Sequence, residues 1–217
     1  GRGASTNPAS PRTAGNGVAN TGSGGGGGSG CTVDGGNGGS GVVAIKELSK
    51  ASGVWSMQSQ MAAKQQGTWP TISFSIDYLV VAGGGGAGTN MGGGGGAGGY
   101  RTSGYGPSPL RGSSLTLEAG SDTVTVGAGG VDGPNSNGRG TNGTDSIFST
   151  ITSSGGGGGG SPTTSPSVGL AGGSGGGGGP AGRPNGSCGH AGGAGNTPPT
   201  SPSQGNAGAK GGAQPDG

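Results

Sequence analysis

The residues able to do chemistry are few, and their spacing does not favour it. His190 is the sole histidine, two positions from Cys188, and the other cysteine, Cys31, lies near the opposite end of the chain. A Cys-x-His pair offers two metal ligands, too few for a closed zinc site. The cysteines leave two readings open: a bridge between Cys31 and Cys188, or two small buried thiols. Asp77, Glu118, Asp122, Asp132 and Asp145 flank expected strands and turns and form no paired carboxylates. GGNGGSG lacks the Asp that a calcium-binding glycine repeat needs. The Arg-Gly pairs at 2, 111 and 139 have no interleaved aromatics, so they make a weak RNA signal. Asn142-Gly-Thr144 and Asn185-Gly-Ser187 are glycan acceptor sequons, which matter only in a glycosylating secretory host.

One stretch looks like cofactor chemistry. Tyr78 to Gly88 runs from an apolar strand into glycines, as a dinucleotide site does. That site needs a helix next, because the helix N-terminus holds the pyrophosphate. Here Thr89-Asn90-Met91 and five more glycines follow, which cannot be that helix. No lysine follows a glycine run in P-loop fashion. We therefore expect no enzyme, no catalytic residue, no cofactor and no metal.

The elements that would position any site are dominated by glycine. There are 66 glycines and 14 prolines among 217 residues, a range in which disorder is the default. Each glycine loses roughly 1–2 kcal/mol of backbone entropy on ordering and has no side chain to bury. With 25% hydrophobic and 3% aromatic residues, an ordinary side-chain core is excluded. A net charge of +2 gives no basic stripe for nucleic acid or anionic lipid. No run of 18 apolar residues exists, so membrane insertion is not expected. The absence of an initiator Met at Gly1 leads us to expect a piece of a longer protein or a processed form.

In chain order, 1–21 reads as loop, Gly22–Gly30 as a glycine tract and 42–48 (VVAIKEL) as strand. Val54–Gln66 is a marginal helix with one thin apolar stripe, and 71–76 (TISFSI) is a strand. The organising stretch, 78–99, follows. Leu115–Val126 is expected to be a hairpin turning at Ala119–Asp122. Gly127–Gly143 reads as loop and Asp145–Thr152 as one strand. The remainder alternates glycine tracts with Pro/Ser/Thr loops.

Ordered glycine tracts need a core made of backbone. A glycine run favours an extended helix of three residues per turn, with no internal hydrogen bonds. Packed side by side with no Cβ between them, such helices bond one another, and Cα–H···O contacts add to this. The expected fold is therefore mostly irregular and β. Short antiparallel strands form a base that continues into a bundle or sandwich of polyglycine II helices. Each net bond contributes only about 0.5–1.5 kcal/mol, similar to the entropy cost, so association of identical chains is expected to add stability.

YLVVAGGGGAG, GGGGGAGGYR, TVTVGAGG, SIFSTITSSGGGGGG and GGNGGSGVVAIKEL together resemble the glycine-rich domain of bacteriophage tail-fibre and adhesin proteins. That resemblance implies strand-anchored polyglycine II helices whose distal loops contact a host cell-surface receptor. It implies a virion-associated, extracellular, non-enzymatic protein. An extracellular structural filament is the alternative, and an ice-binding bundle a weaker third. Asn90, Met91, Tyr100, Arg101, Tyr105 and Asn185 are the candidate receptor contacts, since aromatic and Arg side chains are common anchors. Tyr78, Trp55 and Trp69 are expected to pack the base. The closing strand, GVVAIKEL, lies ahead of the opening strand, YLVVAGG. We therefore expect residues 1–52 to end one glycine-rich domain, 53–77 to connect, and 78–217 to form the N-terminal and central part of a second such domain or tandem repeat. Strand 42–48 would then complete a sheet in a neighbouring copy.

Overall fold

SFSIDYLVV alternates from Phe74 to Tyr78 and closes on three apolar residues, a pattern that suits a central strand. Phe74, Ile76, Tyr78 and Val80 share one face of β2 (Ser73–Val81), and Ile76, Tyr78 and Val80 are buried. Residues 73–76 of the strand expected at 71–76 and the strand opening at Tyr78 are thus one element. A computed structural model of the chain describes residues 14–28, 34–47, 56–67, 73–134, 138–162, 167–180 and 189–212. Asn185, Cys31, Cys188, Trp55 and Trp69 lie outside the described residues.

β1 (Val42–Glu47) pairs antiparallel with β2 along its whole length, from Val42 opposite Val81 to Glu47 opposite Ile76. This corrects the expectation that the strand is donated to another copy. Its partner is the next strand of its own chain, because Val43 and Ile45 fall opposite Val80 and Tyr78 on the apolar face. The far side of β2 is shared by β3 (Tyr100–Ser103) and β5 (Leu115–Glu118). A short β4 (Arg111–Gly112) runs parallel to β3, after a 3-10 turn at Ser108–Leu110.

A second sheet contains β6 (Val124–Thr125), β7 (Ser146–Phe148) and β8 (Ile151–Ser153). The hairpin expected at 115–126 does not form. Leu115 and Leu117 pair with Ile76 and Phe74, whereas Val124 pairs with Phe148, so the two halves enter different sheets. The reason is burial. The large apolar partners lie on β2 and β7, not on the opposing half. A tight hairpin does occur where one strand was expected: β7 and β8 pair antiparallel around Ser149, at φ 50. The two sheets enclose Ile76, Tyr78, Val80 and Phe148, with Val43, Phe74, Leu115, Leu117 and Ile151 packed around them. Tyr78 packs the base as expected.

Beyond this base the backbone takes over. Segment 82–89 continues β2, and its amides aim in three directions in rotation. Gly83, Gly86 and Thr89 donate to the carbonyls of Thr144, Thr141 and Gly138. Gly84 and Ala87 donate to Gly39 and Gly36, and Ala82, Gly85 and Gly88 to Gly99, Gly96 and Gly93, all at 2.8–3.1 Å. The carbonyls of the same segment accept from Gly156 and Gly159, from Gly130 and Gly133, and from Gly25 and Gly28. These are six neighbouring segments, contacted on a strict three-residue repeat. Bonding on every side requires bare backbone. A methyl on Gly85 or Gly86 would overlap the carbonyl oxygen of Gly157 or Val131.

The described residues on both sides of α1, those within 14–47 and those within 73–212, share this network. Gly25 and Gly28 bond into 82–89, and Gly38 donates to Gly130 at 2.8 Å. Segments expected to be loops also belong to it, notably 127–133 and 138–143. Helix α1 (Met57–Gln65) falls within the expected span and exposes Met57 and Met61. No helix among the described residues is long and apolar enough to cross a membrane.

Candidate functional site

The direction of each segment sorts the candidate residues between two ends of the hydrogen-bonded network. Segment 82–89 leaves the base at β2, turns at Asn90–Met91, and returns as 92–99 into β3. Asn90 and Met91 therefore lie at the end away from the strands. Tyr100 and Arg101 lie at the base, and Tyr105 follows β3 there. The five described candidates do not form one surface.

Asn90 and Met91 both adopt left-handed backbone, at φ 53 and 61, which reverses the chain within two residues. Asn tolerates this conformation, whereas Met is uncommon in it. Asn90 is buried and Met91 half-buried, so of the two Met91 offers more side chain to a partner. Asn185 lies outside the described residues. At the end away from the strands the His190 amide donates to the Gly179 carbonyl at 2.8 Å. Segments 127–133 and 138–145 also join there, through Gly133 and Gly138. His190 is held in the network by its backbone and is half-exposed. Among the described residues no group of three or more His, Cys, Asp or Glu could hold a metal.

At the base, Tyr100 and Arg101 mainly tie elements together. The Tyr100 amide donates to the Gln204 carbonyl at 2.8 Å, and the Arg101 guanidinium reaches the Thr152 carbonyl at 3.5 Å. Tyr105 is exposed, and its hydroxyl lies 3.2 Å from Lys46 Nζ, which also sits 5.6 Å from the ring centre.

Sequence reasoning missed the polar side chains that finish the backbone network. In Gly140-Thr-Asn-Gly-Thr-Asp145 the phase of three is written in the residues. Gly140 and Gly143 face segment 82–89, where a methyl would strike Gly86 or Gly83. Thr141 and Thr144 accept from the Val131 and Ala128 amides at 2.8 and 2.7 Å. Asn142 and Asp145 accept from the Gly158 and Gly155 amides at 2.9 and 2.8 Å. The repeat of small, hydroxyl and amide or carboxylate residues was the available signal. Gln204 plays a similar part near the base. Its carboxamide accepts from the Ser154 amide at 2.8 Å and donates to the Pro198 carbonyl at 2.9 Å, within a site that leaves it 2% exposed. Gln204→Ala strands both groups. It is expected to cost about 2 kcal/mol and to speed hydrogen exchange at the Ser154 amide.

The glycine-rich domain family matches residues 62–217, more than half of the chain. The chain belongs to this family. No curated protein and no solved structure matches it.

Proposed function

We propose that the tracts are polyglycine II helices, and that the chain is a non-enzymatic structural and receptor-binding module of a bacteriophage tail fibre or adhesin. The observation that carries this reading is the three-residue rotation of hydrogen bonds in 82–89, which is the repeat of an extended three-fold helix. At about 3.1 Å per residue, eight residues hold the distal turns roughly 25 Å from the strand base. Such a lattice is stiff and indifferent to loop content, so loops can vary without disturbing it. The base would face the rest of an extracellular fibre, identical chains would be its partners, and the Met91 end would face the host surface.

The test is adsorption of the purified, labelled chain to a panel of bacterial cells. Met91→Gly keeps the left-handed turn and removes the side chain. It is expected to leave the melting temperature unchanged or raise it by a few degrees, and to lower adsorption several-fold. Tyr105→Ala, at the opposite end, is expected to adsorb normally. Should Tyr105→Ala lose adsorption while Met91→Gly retains it, the assignment of ends is reversed. Should no cell type adsorb the chain while it forms long threads, a purely structural extracellular filament replaces the attachment role.

A further inference from the structure

The apolar face of the five-stranded sheet is covered only in part. Val80, Tyr78 and Ile76 are buried with Phe148, yet Ile45, opposite Tyr78 on that face, is 49% exposed. Beside it lies an open cleft of about 260 Å³ lined by Ile45, Phe74, Ile76 and Leu117, with the exposed acids Glu118 and Asp122. The same chain carries an uncovered helix. Met57, Gln60, Met61 and Lys64 of α1 are spaced i, i+3, i+4, i+7 and line one surface, with Met57 85% and Met61 66% exposed. A nine-residue helix is marginal in water unless its apolar side is docked.

We propose that α1 of one copy seats in the cleft of a second copy, and the reverse, about a two-fold axis. The two methionines would cover Ile45, Phe74 and Leu117, and Lys64 would meet Glu118 and Asp122. Flexible, unbranched Met suits an open groove of this kind. The opposite charges fix which way the helix lies. The charge match is what selects this occupant, since the cleft lining supplies two acids and the helix face one base. A two-fold arrangement makes the contact twice, which compensates for the small size of each. This rests on the reading that identical chains associate and names the surface through which they do so.

The test uses two charge-reversed full-length chains, Lys64→Glu and Glu118→Lys/Asp122→Lys, followed by sedimentation velocity over a concentration series. These exposed sites lie outside the backbone network, and circular dichroism checks that both chains fold. Wild type is expected to dimerise, and each variant alone to dimerise at least ~10-fold more weakly. An equimolar mixture is expected to dimerise as wild type does, because both contacts then pair opposite charges. Met57→Ala/Met61→Ala is expected to weaken the wild-type dimer as well. If wild type associates and neither reversal changes it, the surface is wrong although association stands. If the mixture does not recover, the helix docks on its own sheet and the proposal is overturned. A wild-type chain that is monomeric at every concentration defeats both the surface and the association.

Discussion

Gly86→Ala is expected to lower the stability of the protein by at least ~3 kcal/mol, a fall in melting temperature on the order of 10 °C. The added methyl would occupy the space of the Val131 carbonyl oxygen. Neither side can yield. The Gly86 amide is committed to the Thr141 carbonyl at 2.9 Å, and its own carbonyl accepts from Gly159 at 2.9 Å. Moving the segment aside lengthens bonds to several neighbours at once. Gly94→Ala is the matched control. A methyl there would meet its nearest heavy atom, the Gly25 carbonyl oxygen, at 3.5 Å, an ordinary contact. Its backbone also lies outside the left-handed region, so alanine fits without strain. By narrowing the unfolded ensemble, Gly94→Ala is expected to gain about 0.4–1 kcal/mol. Thermal unfolding followed by circular dichroism reads both. Equal effects of the two substitutions would mean that backbone contact does not form the interior.

Phe148→Ala is expected to cost about 3–5 kcal/mol, measured by urea unfolding. Phe148 is 3% exposed and is the residue of the second sheet that completes the buried cluster with Ile76, Tyr78 and Val80. A chain with 25% hydrophobic residues has little other apolar surface to offset the cavity. The loss is therefore expected to separate the two sheets and to free the segments that leave them, including 154–161 beyond β8. Val131→Ala, at a side chain 57% exposed, is expected to change stability by less than about 0.5 kcal/mol. A Phe148→Ala protein as stable as the Val131 variant would show that the strand base is dispensable.

The two substitutions probe the two kinds of interior, and they were not equally legible in the sequence. The apolar base was. Alternation in SFSIDYLVV marks which side chains turn inward, VVAIKE is a strand by the same signal, and Tyr78 packs where it was expected. Pairing was less legible. Leu115–Val126 reads locally as a hairpin, yet Leu117 meets Phe74 and Val124 meets Phe148. Strand partners are chosen by burial in the whole, and a short apolar segment carries no label for its partner. The candidate contacts fared similarly. Asn90 and Tyr100 are ten positions apart in sequence, but the chain reverses between them, so they end on opposite ends of the hydrogen-bonded network.

By itself the sequence determined that this protein cannot have an ordinary side-chain core, that its strands form a base, and that its glycine tracts must be ordered by backbone bonding if ordered at all. Only the tertiary structure decided which tract bonds to which, and that the described residues within 14–47 lie in the same network as those within 73–212. The physical reason is the missing side chain. In a strand the identity of each residue records the face it presents, but every glycine in a run presents the same bare backbone to all sides. The phase of three can be read only where threonine, asparagine and aspartate interrupt the glycines, as they do at 140–145.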